Sequence, residues 1–395
     1  MSAPTQTLGL TEAQTRERGA YWTTREILQQ PHIWAEVVQQ VTSDAALKVF
    51  LDPLLSDPGL RIVLTGAGTS SFIGQCLAPA LARARRRAAA MATTDIVASP
   101  ASYLPYERTL WVHFARSGNS PESVAAMELA ERGSAQCAHL VLTCNRQGAL
   151  LQRSRALRHG YAVLLPEASD DRGFAMTSSF TGLLLAAALA MRLIPPDAAH
   201  VARLGAVATH LMTAGLATAS ALANTPFERV VYLGSGELKG LAREAALKML
   251  ELTDGRVVTA ADSPLGFRHG PKTVVNGKCL VVMFVSDDPH TRRYDLDLLA
   301  ELRRDGAAGR VIALSNRPGV PAHPDALQFA GSIAGPSALE SPSDLALCLP
   351  YAVFAQMLAL LRSLSLGINP DTPNTAGTVN RVVRGVSIYP YEPSP

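Results

Sequence analysis

The sequence has few cysteines, and they form no recognisable metal or disulfide pattern. Its 395 residues include five cysteines, an odd number, and no two of them form a C-x-x-C pair. Disulfide-stabilised secreted domains and structural zinc sites need paired or regularly spaced cysteines. We therefore expect no metal site, and we expect a protein of the reducing cytoplasm. The cysteines are scattered along the chain at Cys76, Cys137, Cys144, Cys279 and Cys348.

An excess of either charge is also absent. The formal net charge is +3, and charged residues make up 17% of the chain. Proteins that bind nucleic acid or membrane surfaces usually concentrate basic residues, so we expect neither partner. The first ten residues lack a basic start followed by an apolar core, so we expect no signal peptide. The longest apolar runs, 182–191 and 351–361, are too short to span a bilayer and indicate buried helices.

Complete nucleotide-binding motifs are missing as well. Residues 66–71 read Gly-Ala-Gly-Thr-Ser-Ser and lack the third glycine of G-x-G-x-x-G, and residues 234–239 fail in the same way. No P-loop lysine pattern occurs. We therefore expect no dinucleotide or other organic cofactor.

The most informative feature that is present is an internal repeat. Three segments recur in the same order, which indicates a duplicated domain. The matching pairs are 61–68 with 229–236, 110–117 with 280–286, and 140–146 with 311–317.

Each copy alternates short β-branched runs, glycine turns and helix-period segments, which predicts an α/β fold with parallel sheets covered on both faces. In such sheets, ligands bind beyond the carboxyl ends of the strands. The predicted divisions of the chain are an N-terminal helical segment 1–50, a first domain 51–215, a second domain 216–366 and an ordered C-terminal tail 367–395.

Two hydroxyl-rich turns in the first copy indicate a phosphate site. Residues 66–71 and 117–123 each follow a predicted strand and open a helix, where free backbone N–H groups and hydroxyls can donate to an anion. The first turn alone is equally compatible with a plain helix cap. In the second copy, Glu237, Asp287 and Asp288 stand at the matching turns, and their carboxylates would repel a phosphate.

The second copy supplies candidate acid–base groups. Glu244, Lys248 and Glu251 lie on one face of the predicted helix 241–252. Such a trio can form a solvated salt-bridge stripe, or a carboxylate set in an apolar face can serve as a general base. His269 precedes Gly270-Pro271 and therefore lies in a turn with basic neighbours.

Together these segments resemble the sugar isomerase (SIS) family, and most closely its AgaS group of galactosamine-6-phosphate deaminase/isomerases, also described as tagatose-6-phosphate ketose/aldose isomerases. The strings that carry the closer resemblance are 21–31, 170–179, 367–371 and 377–389. The resemblance implies two tandem SIS domains, each a flavodoxin-like three-layer αβα sheet, with N-terminal helices and a tail that closes the active site.

The resemblance also extends to the isomerase half of glucosamine-6-phosphate synthase and implies roles for individual residues. The motif at Lys248–Glu251 implies that Glu251 moves the sugar proton. The motif at 269–271 implies that His269 assists ring opening across a subunit interface, in a homodimer or homotetramer. The family's tail lysine has no counterpart here. Arg384 falls nearest, and arginine cannot form a Schiff base or readily release a proton.

These observations predict an enzyme acting on a phosphorylated hexosamine or hexose. The expected reaction converts galactosamine 6-phosphate to tagatose 6-phosphate and ammonia by proton transfer from C2 to C1. The alternatives are an aldose–ketose isomerase without deamination and a sugar-phosphate-sensing regulatory protein. The predicted catalytic residues are Glu251, His269, Lys248 and Arg384. The predicted substrate-binding residues are Gly68, Thr69, Ser70, Arg116, Ser117, Gly118, Asn119, Ser120, Met176, Thr177 and Ser178.

Overall fold

The computed structural model of the chain describes residues 8–104, 107–133, 136–317, 320, 343–383 and 385–392. The strands are β1 Arg61–Gly66, β2 Arg87–Ala92, β3 Thr109–Ala115, β4 Cys137–Thr143, β5 Gly160–Leu164, β6 Arg229–Gly234, β7 Val258–Asp262, β8 Cys279–Phe284 and β9 Arg310–Leu314. The helices are α1 Glu12–Glu17, α2 Tyr21–Leu28, α3 Gln30–Ser43, α4 Ala45–Leu55, α5 Thr69–Arg83, α6 Thr93–Ala98, α7 Pro100–Tyr103, α8 Pro121–Gly133, α9 Ala149–Ala156, α10 Ser178–Ala190, α11 Ala198–Thr213, α12 Leu216–Ala223, α13 Glu237–Leu252, α14 Pro264–Phe267, α15 Pro289–Asp305 and α16 Asp344–Ser365.

Two parallel sheets with the same strand order confirm the duplicated α/β fold. The first sheet has the order β2-β1-β3-β4-β5, and the second has the order β7-β6-β8-β9. The order reverses next to β1 in the first sheet and next to β6 in the second, which is the flavodoxin-like arrangement. The predicted ligand turns after β1 and β3 therefore lie side by side at one switch point, because these strands are hydrogen-bonded neighbours.

The N-terminal helices pack into the same core rather than standing apart. Pro31 lies in the first turn of α3, where the missing N–H of proline costs nothing, and α2 ends directly before it. Helix α4 continues past residue 50 to Leu55, so the predicted division at 50/51 falls inside a helix.

Helices α5 and α13 join the two halves at close range. A Cβ on Gly240 of α13 would lie 2.6 Å from the backbone nitrogen of Cys76 in α5, so only glycine allows this approach. Helix α13 also packs against α16. The approach fixes how the turn at the start of α5 faces the side chains of α13.

The two long apolar runs form buried helices, as predicted. All residues of α10 are buried, as are nearly all of α16. By length and composition α16 could cross a membrane, but 94% of its apolar window is buried inside the fold. Its hydrophobicity is therefore accounted for by its central place in the core.

Polar contacts attach the C-terminal tail to the start of α2. The carboxylate of Asp371 accepts hydrogen bonds from the N–H groups of Trp22 and Thr23, at 3.0 and 2.8 Å. Farther along the tail, Val383, Val386 and Ile388 are exposed in this chain.

A pair of buried histidines lies on the first sheet. The ring nitrogens of His113 and His139 are 3.0 Å apart, and Trp111 stacks on His113. Burial, together with the nearby Arg153 charge, lowers the pKa of His139 to about 4, and burial beside His139 lowers the pKa of His113. Both rings are therefore neutral in the folded protein.

This pair predicts that the fold becomes less stable below pH 6.5. The folded-state pKa lies below the unfolded value of about 6.5, so the unfolded chain binds protons first as the pH falls. The contribution of His139 to the free energy of unfolding is fully present above pH 6.5. It should decline toward pH 4 by about 1.4 kcal/mol per pH unit. Urea midpoints measured from pH 8 to 5 would show a smaller decline in His139→Asn. The exposed His159→Asn control should keep the full slope, and equal slopes in both variants would contradict this account.

Candidate active site

The turn after β1 leads into α5 with its N–H groups directed outward. Gly68 caps α5 at φ 55°, ψ −127°, a left-handed conformation that favours glycine. The first turn of a helix has unpaired backbone N–H groups, which with the helix dipole attract an anion. Thr69 and Ser70 begin the helix and are nearly buried, so their hydroxyls lie at a sheltered position.

The turn after β3 offers a second set of neutral donors beside the first. Gly118 has a φ of 64°, and the Ser117 hydroxyl accepts a hydrogen bond from the N–H of Asn119 at 3.3 Å. The side-chain oxygen Oδ1 of Asn119 accepts from the N–H of Ala149 at 2.9 Å, at the start of α9. The Ser120 hydroxyl donates to Ser123 at 2.6 Å. Ser117 and Gly118 are thus the donors in this turn with the fewest internal partners.

Asn145 supports this turn and was missed among the predicted site residues. Its amide nitrogen donates to the carbonyl oxygen of Ser117 at 2.7 Å. The signal was available, because Asn145 lies in the repeat and matches Asn316 of the second copy. Asn316 donates in turn to the carboxylate of Asp287, also at 2.7 Å.

The second copy repeats the backbone geometry of both turns. Gly236 caps α13 at φ 55°, ψ −123°, almost the torsions of Gly68. The Ser286 hydroxyl accepts from the N–H of Asp288 at 3.1 Å, as the Ser117 hydroxyl does from Asn119. The two donor turns are therefore equivalent in structure as well as in sequence.

An internal carboxylate satisfies the donor turn of the second copy. The Asp344 carboxylate accepts from the Ser286 hydroxyl at 2.5 Å and from the N–H of Asp287 at 2.8 Å. Glu237, at the start of α13, is buried and paired with Arg83. Among the described residues, no carboxylate bonds to the Ser117 hydroxyl or the Gly118 N–H of the first copy. The turn after β3 in the first copy therefore has donors for an anion that no carboxylate in the described part of the chain provides.

The acid–base trio of α13 lies beside the first-copy turn that opens α5 at Thr69. The Lys248 ammonium donates to the Thr69 hydroxyl at 2.9 Å and to the Glu251 carboxylate at 2.5 Å. Glu244 lies 3.6 Å from the same ammonium. Lys248 and Glu244 are each only 1% exposed, which rules out a solvated surface stripe. The two halves therefore share one cleft within a single chain.

The charges in this cluster are unevenly matched, with two carboxylates for one cation. Burial raises the pKa of Glu244 to about 8, although Lys248 opposes this. Burial by itself would lower the pKa of Lys248, but Glu244 and Glu251 outweigh it and raise the pKa. A charged Lys248–Glu251 pair with a neutral Glu244 gives the lowest net buried charge. Glu251, with its side chain 26% exposed, is the member of the cluster that faces the cleft.

Residues 170–177, here called the middle loop, precede α10. The carboxylate of Asp171 organises this loop, and the site prediction did not include it. Asp171 accepts hydrogen bonds from the N–H groups and hydroxyls of Thr177, Ser178 and Ser179 at the start of α10. Thr177 and Ser178 are fully buried and their hydroxyls are engaged. Both hydroxyls donate to Asp171 within this chain, and a contact of these two residues with the sugar stays a prediction. Met176 does reach the site, with its sulfur 3.9 Å from the Ser70 hydroxyl.

The other three predicted site residues lie in different parts of the chain. Arg116 is buried next to Ser117, and its guanidinium donates to the carbonyl oxygens of Phe174 and Arg381. His269 is exposed in the turn after α14, and in the described part of the chain no hydrogen bond joins it to Glu251 or to the phosphate turns. Arg384 lies outside the described residues.

Comparison with known proteins identifies the family. Residues 54–192 match the SIS domain family. The chain is 46% identical over 383 residues to the D-galactosamine-6-phosphate deaminase AgaS of Escherichia coli, covering 94% of this chain and 96% of that protein. It is 42% identical over 387 residues to the enzyme of the same name from Shewanella sp. strain ANA-3, covering 97% and 95%. The crystal structure of tagatose-6-phosphate ketose/aldose isomerase from Escherichia coli matches with a TM-score of 0.85 at 41% identity, covering 94% and 97%.

The difference between the two donor turns predicts that only the first binds phosphate. Ser117→Ala should weaken the binding of inorganic phosphate by about 10- to 100-fold, because a hydrogen bond to a charged group is lost. Ser117→Asp should abolish binding by repulsion. Isothermal titration would measure the affinities. The matched control is Ser286→Ala, which alters the equivalent serine and should leave the affinity within about twofold. Equal losses in the two alanine variants would refute the assignment.

Proposed function

The chain belongs to the SIS family and, within it, to the AgaS group, and we propose that it is a D-galactosamine-6-phosphate deaminase/isomerase. The observation that carries this proposal is the hydrogen bond from Lys248 to Thr69. The same ammonium also binds Glu251, the proposed proton-transferring carboxylate. Lys248 therefore links this carboxylate to the proposed anion-binding turn of the other half of the chain. A sugar phosphate held at one end and deprotonated at the other needs these two groups in one cleft.

The phosphate of the substrate would lie between the two turns of the first copy. Ser70, Ser117 and Gly118 offer hydroxyl and backbone donors there, and the first turn of α5 adds its N–H groups. In the second copy, the Asp344 carboxylate accepts from the corresponding donors. Its position therefore indicates where an anion would bind at the equivalent turn of the first copy. The phosphate grip fixes the sugar so that its C1–C2 end faces α13.

The chemistry follows from one carboxylate that moves one proton. With the ring open, Glu251 would abstract the proton from C2 and deliver it to C1 through an enol intermediate. The amine-bearing C2 then becomes an imine, and water converts the imine to the ketone with release of ammonia. The atoms balance as hexosamine 6-phosphate plus water giving ketose 6-phosphate plus ammonia. Lys248 would hold the Glu251 side chain in position, and the reaction so written needs neither a metal nor an organic cofactor.

His269 would come from a second subunit. It is exposed in this chain, and the apolar side chain of Leu265, four residues before it, is 45% exposed. Large apolar side chains exposed around a functional histidine are typical of an interface. We propose a cytoplasmic homodimer or homotetramer in which His269 of one protomer opens the sugar ring bound by its partner. Arg384 would orient sugar oxygens from the tail.

A second candidate function is aldose–ketose isomerisation without deamination. It is favoured by the similarity to the structure named tagatose-6-phosphate ketose/aldose isomerase. The same proton transfer serves both reactions, and the product depends on whether C2 carries an amine or a hydroxyl. A panel of hexosamine and hexose 6-phosphates, assayed separately for ammonia and for ketose, distinguishes the two.

With galactosamine 6-phosphate, the protein should release ammonia and ketose in equal amounts. Glu251→Gln should lower kcat by about 10²–10⁴, because the general base is lost, while phosphate affinity stays nearly unchanged. The control is Glu228→Gln, a surface glutamate paired with Lys278. Full turnover by Glu251→Gln would rule out its role. A protein that binds the sugar phosphate but converts none of the panel would be a sensor rather than an enzyme.

Mixing two inactive variants tests whether the site is shared. His269→Asn and Glu251→Gln should each be nearly inactive alone. In a dimer with random mixing, about a quarter of the sites combine two unaltered residues, so co-refolded variants should regain about a quarter of the activity. Activity after mixing would be followed by ammonia release. No recovery in verified mixed oligomers would place His269 outside the partner's site.

A further inference from the structure

Residues 374–383 of the tail, here called the strap, are attached at their two ends to different halves of the chain. Before the strap, Asp371 is bound to the start of α2. At its start, the side chain of Asn374 donates to Asp254 at 2.9 Å, and Asp254 follows Glu251 by only three residues. At its far end, Arg381 reaches the middle loop that contacts the phosphate turn. The strap therefore connects the proton-transfer end of the cleft with the phosphate end.

Two arginines hold the far end of the strap reciprocally. The Arg116 guanidinium donates to the carbonyl oxygen of Arg381 at 2.8 Å. The Arg381 guanidinium donates to the carbonyl oxygen of Asp171 and lies 3.5 Å from the Asp170 carboxylate. Each arginine thus binds the backbone of another segment, which a planar guanidinium with several fixed donors does better than an ammonium.

Both arginines of this pair are connected to the donor turns of the first copy. Arg116 directly precedes Ser117 and also donates to Phe174 in the middle loop, at 3.4 Å. Asp171, whose backbone carbonyl receives Arg381, uses its side chain to order the segment that carries Met176 to Ser70. A change in the strap is therefore passed to the phosphate turn through Arg116 and through Asp171.

The charges near the pair favour this closed arrangement. Burial and the nearby positive charge of Arg381 both lower the pKa of Arg116, whereas Asp171 and Asp170 oppose the shift. Two guanidinium groups can therefore stay close because the loop carboxylates lie beside them. Removing Arg381 would leave Asp170 without this partner.

We propose that Arg381 is a positioning residue that holds the strap 374–383 closed over the sugar-binding cleft. The proposal rests on the proposed function for the identity of the substrate, but the position of the strap can be measured without it. A closed strap encloses the sugar in both the ground state and the transition state. Such uniform binding lowers KM more than it raises kcat.

The test compares Arg381→Met and Arg381→Lys with Arg87→Met. Arg87 also donates to one carbonyl and one carboxylate, of Gly59 and Glu107, but it lies at the amino end of the first sheet, away from the turns. In Arg381→Met, the KM for galactosamine 6-phosphate should rise about tenfold or more, while kcat changes less than about threefold. Inhibition by inorganic phosphate should stay within about twofold. Arg381→Lys should be intermediate, and Arg87→Met should behave as wild type.

Hydrogen exchange of peptides covering 374–383 provides the readout that does not depend on activity. The strap should exchange faster in Arg381→Met than in wild type or in Arg87→Met, with inorganic phosphate as the only ligand. Unchanged exchange would overturn the proposal, and so would faster exchange with an unchanged KM. If wild type converts no sugar phosphate but the exchange result is as expected, the proposed function fails and the strap assignment stands.

Discussion

The buried ammonium of Lys248 is the contact on which the arrangement of the two halves depends. It bonds to Thr69 from the first copy and to Glu251 from its own helix, with Glu244 close by. A buried cation is tolerated only when it is paired and hydrogen-bonded, so α13 can sit in just one rotation and register against α5. The missing side chain at Gly240 permits that register by letting the helices touch. The Glu251 carboxylate and the turn that opens α5 come from different halves of the chain, and these contacts fix them relative to each other.

The two copies of the duplicated domain differ in what satisfies the donors of their equivalent turns. Both copies have the same glycine torsions and the same serine turn, so the backbone donors alone do not distinguish them. The second copy satisfies its donors with Asp344, at the start of a helix that runs through the core. An internal carboxylate is part of the chain, so its binding costs no association entropy. The binding of a phosphate from solution does carry that cost. One turn therefore contributes to folding, and its equivalent is left available for a substrate.

Much of this could be predicted from the sequence, because repeats and turn chemistry are local signals. The parallel sheets, the two turns and the common face of Glu244, Lys248 and Glu251 all follow from spacing. The contact from Lys248 to Thr69 could not be predicted, since the two residues are 179 positions apart. The hydrogen bonds of Thr177 and Ser178 to Asp171 could not be predicted for a related reason. Hydroxyl residues before a helix serve equally as ligand donors or as partners of a buried carboxylate, and only the fold shows that Asp171 takes them.

The strings that resemble the AgaS group look unrelated along the sequence but form one structural unit. Glu26, from 21–31, accepts the N–H groups of Arg172 and Gly173 from 170–179. Asp371, from 367–371, accepts the N–H groups of Trp22 and Thr23, and Arg381, from 377–389, returns to Asp171. In each case an ionisable side chain from one string binds the backbone of another, so the shape of the loop and tail depends on all four. Helix α2 is therefore the platform from which the middle loop and the strap reach the cleft, although it precedes the residues that match the SIS domain family.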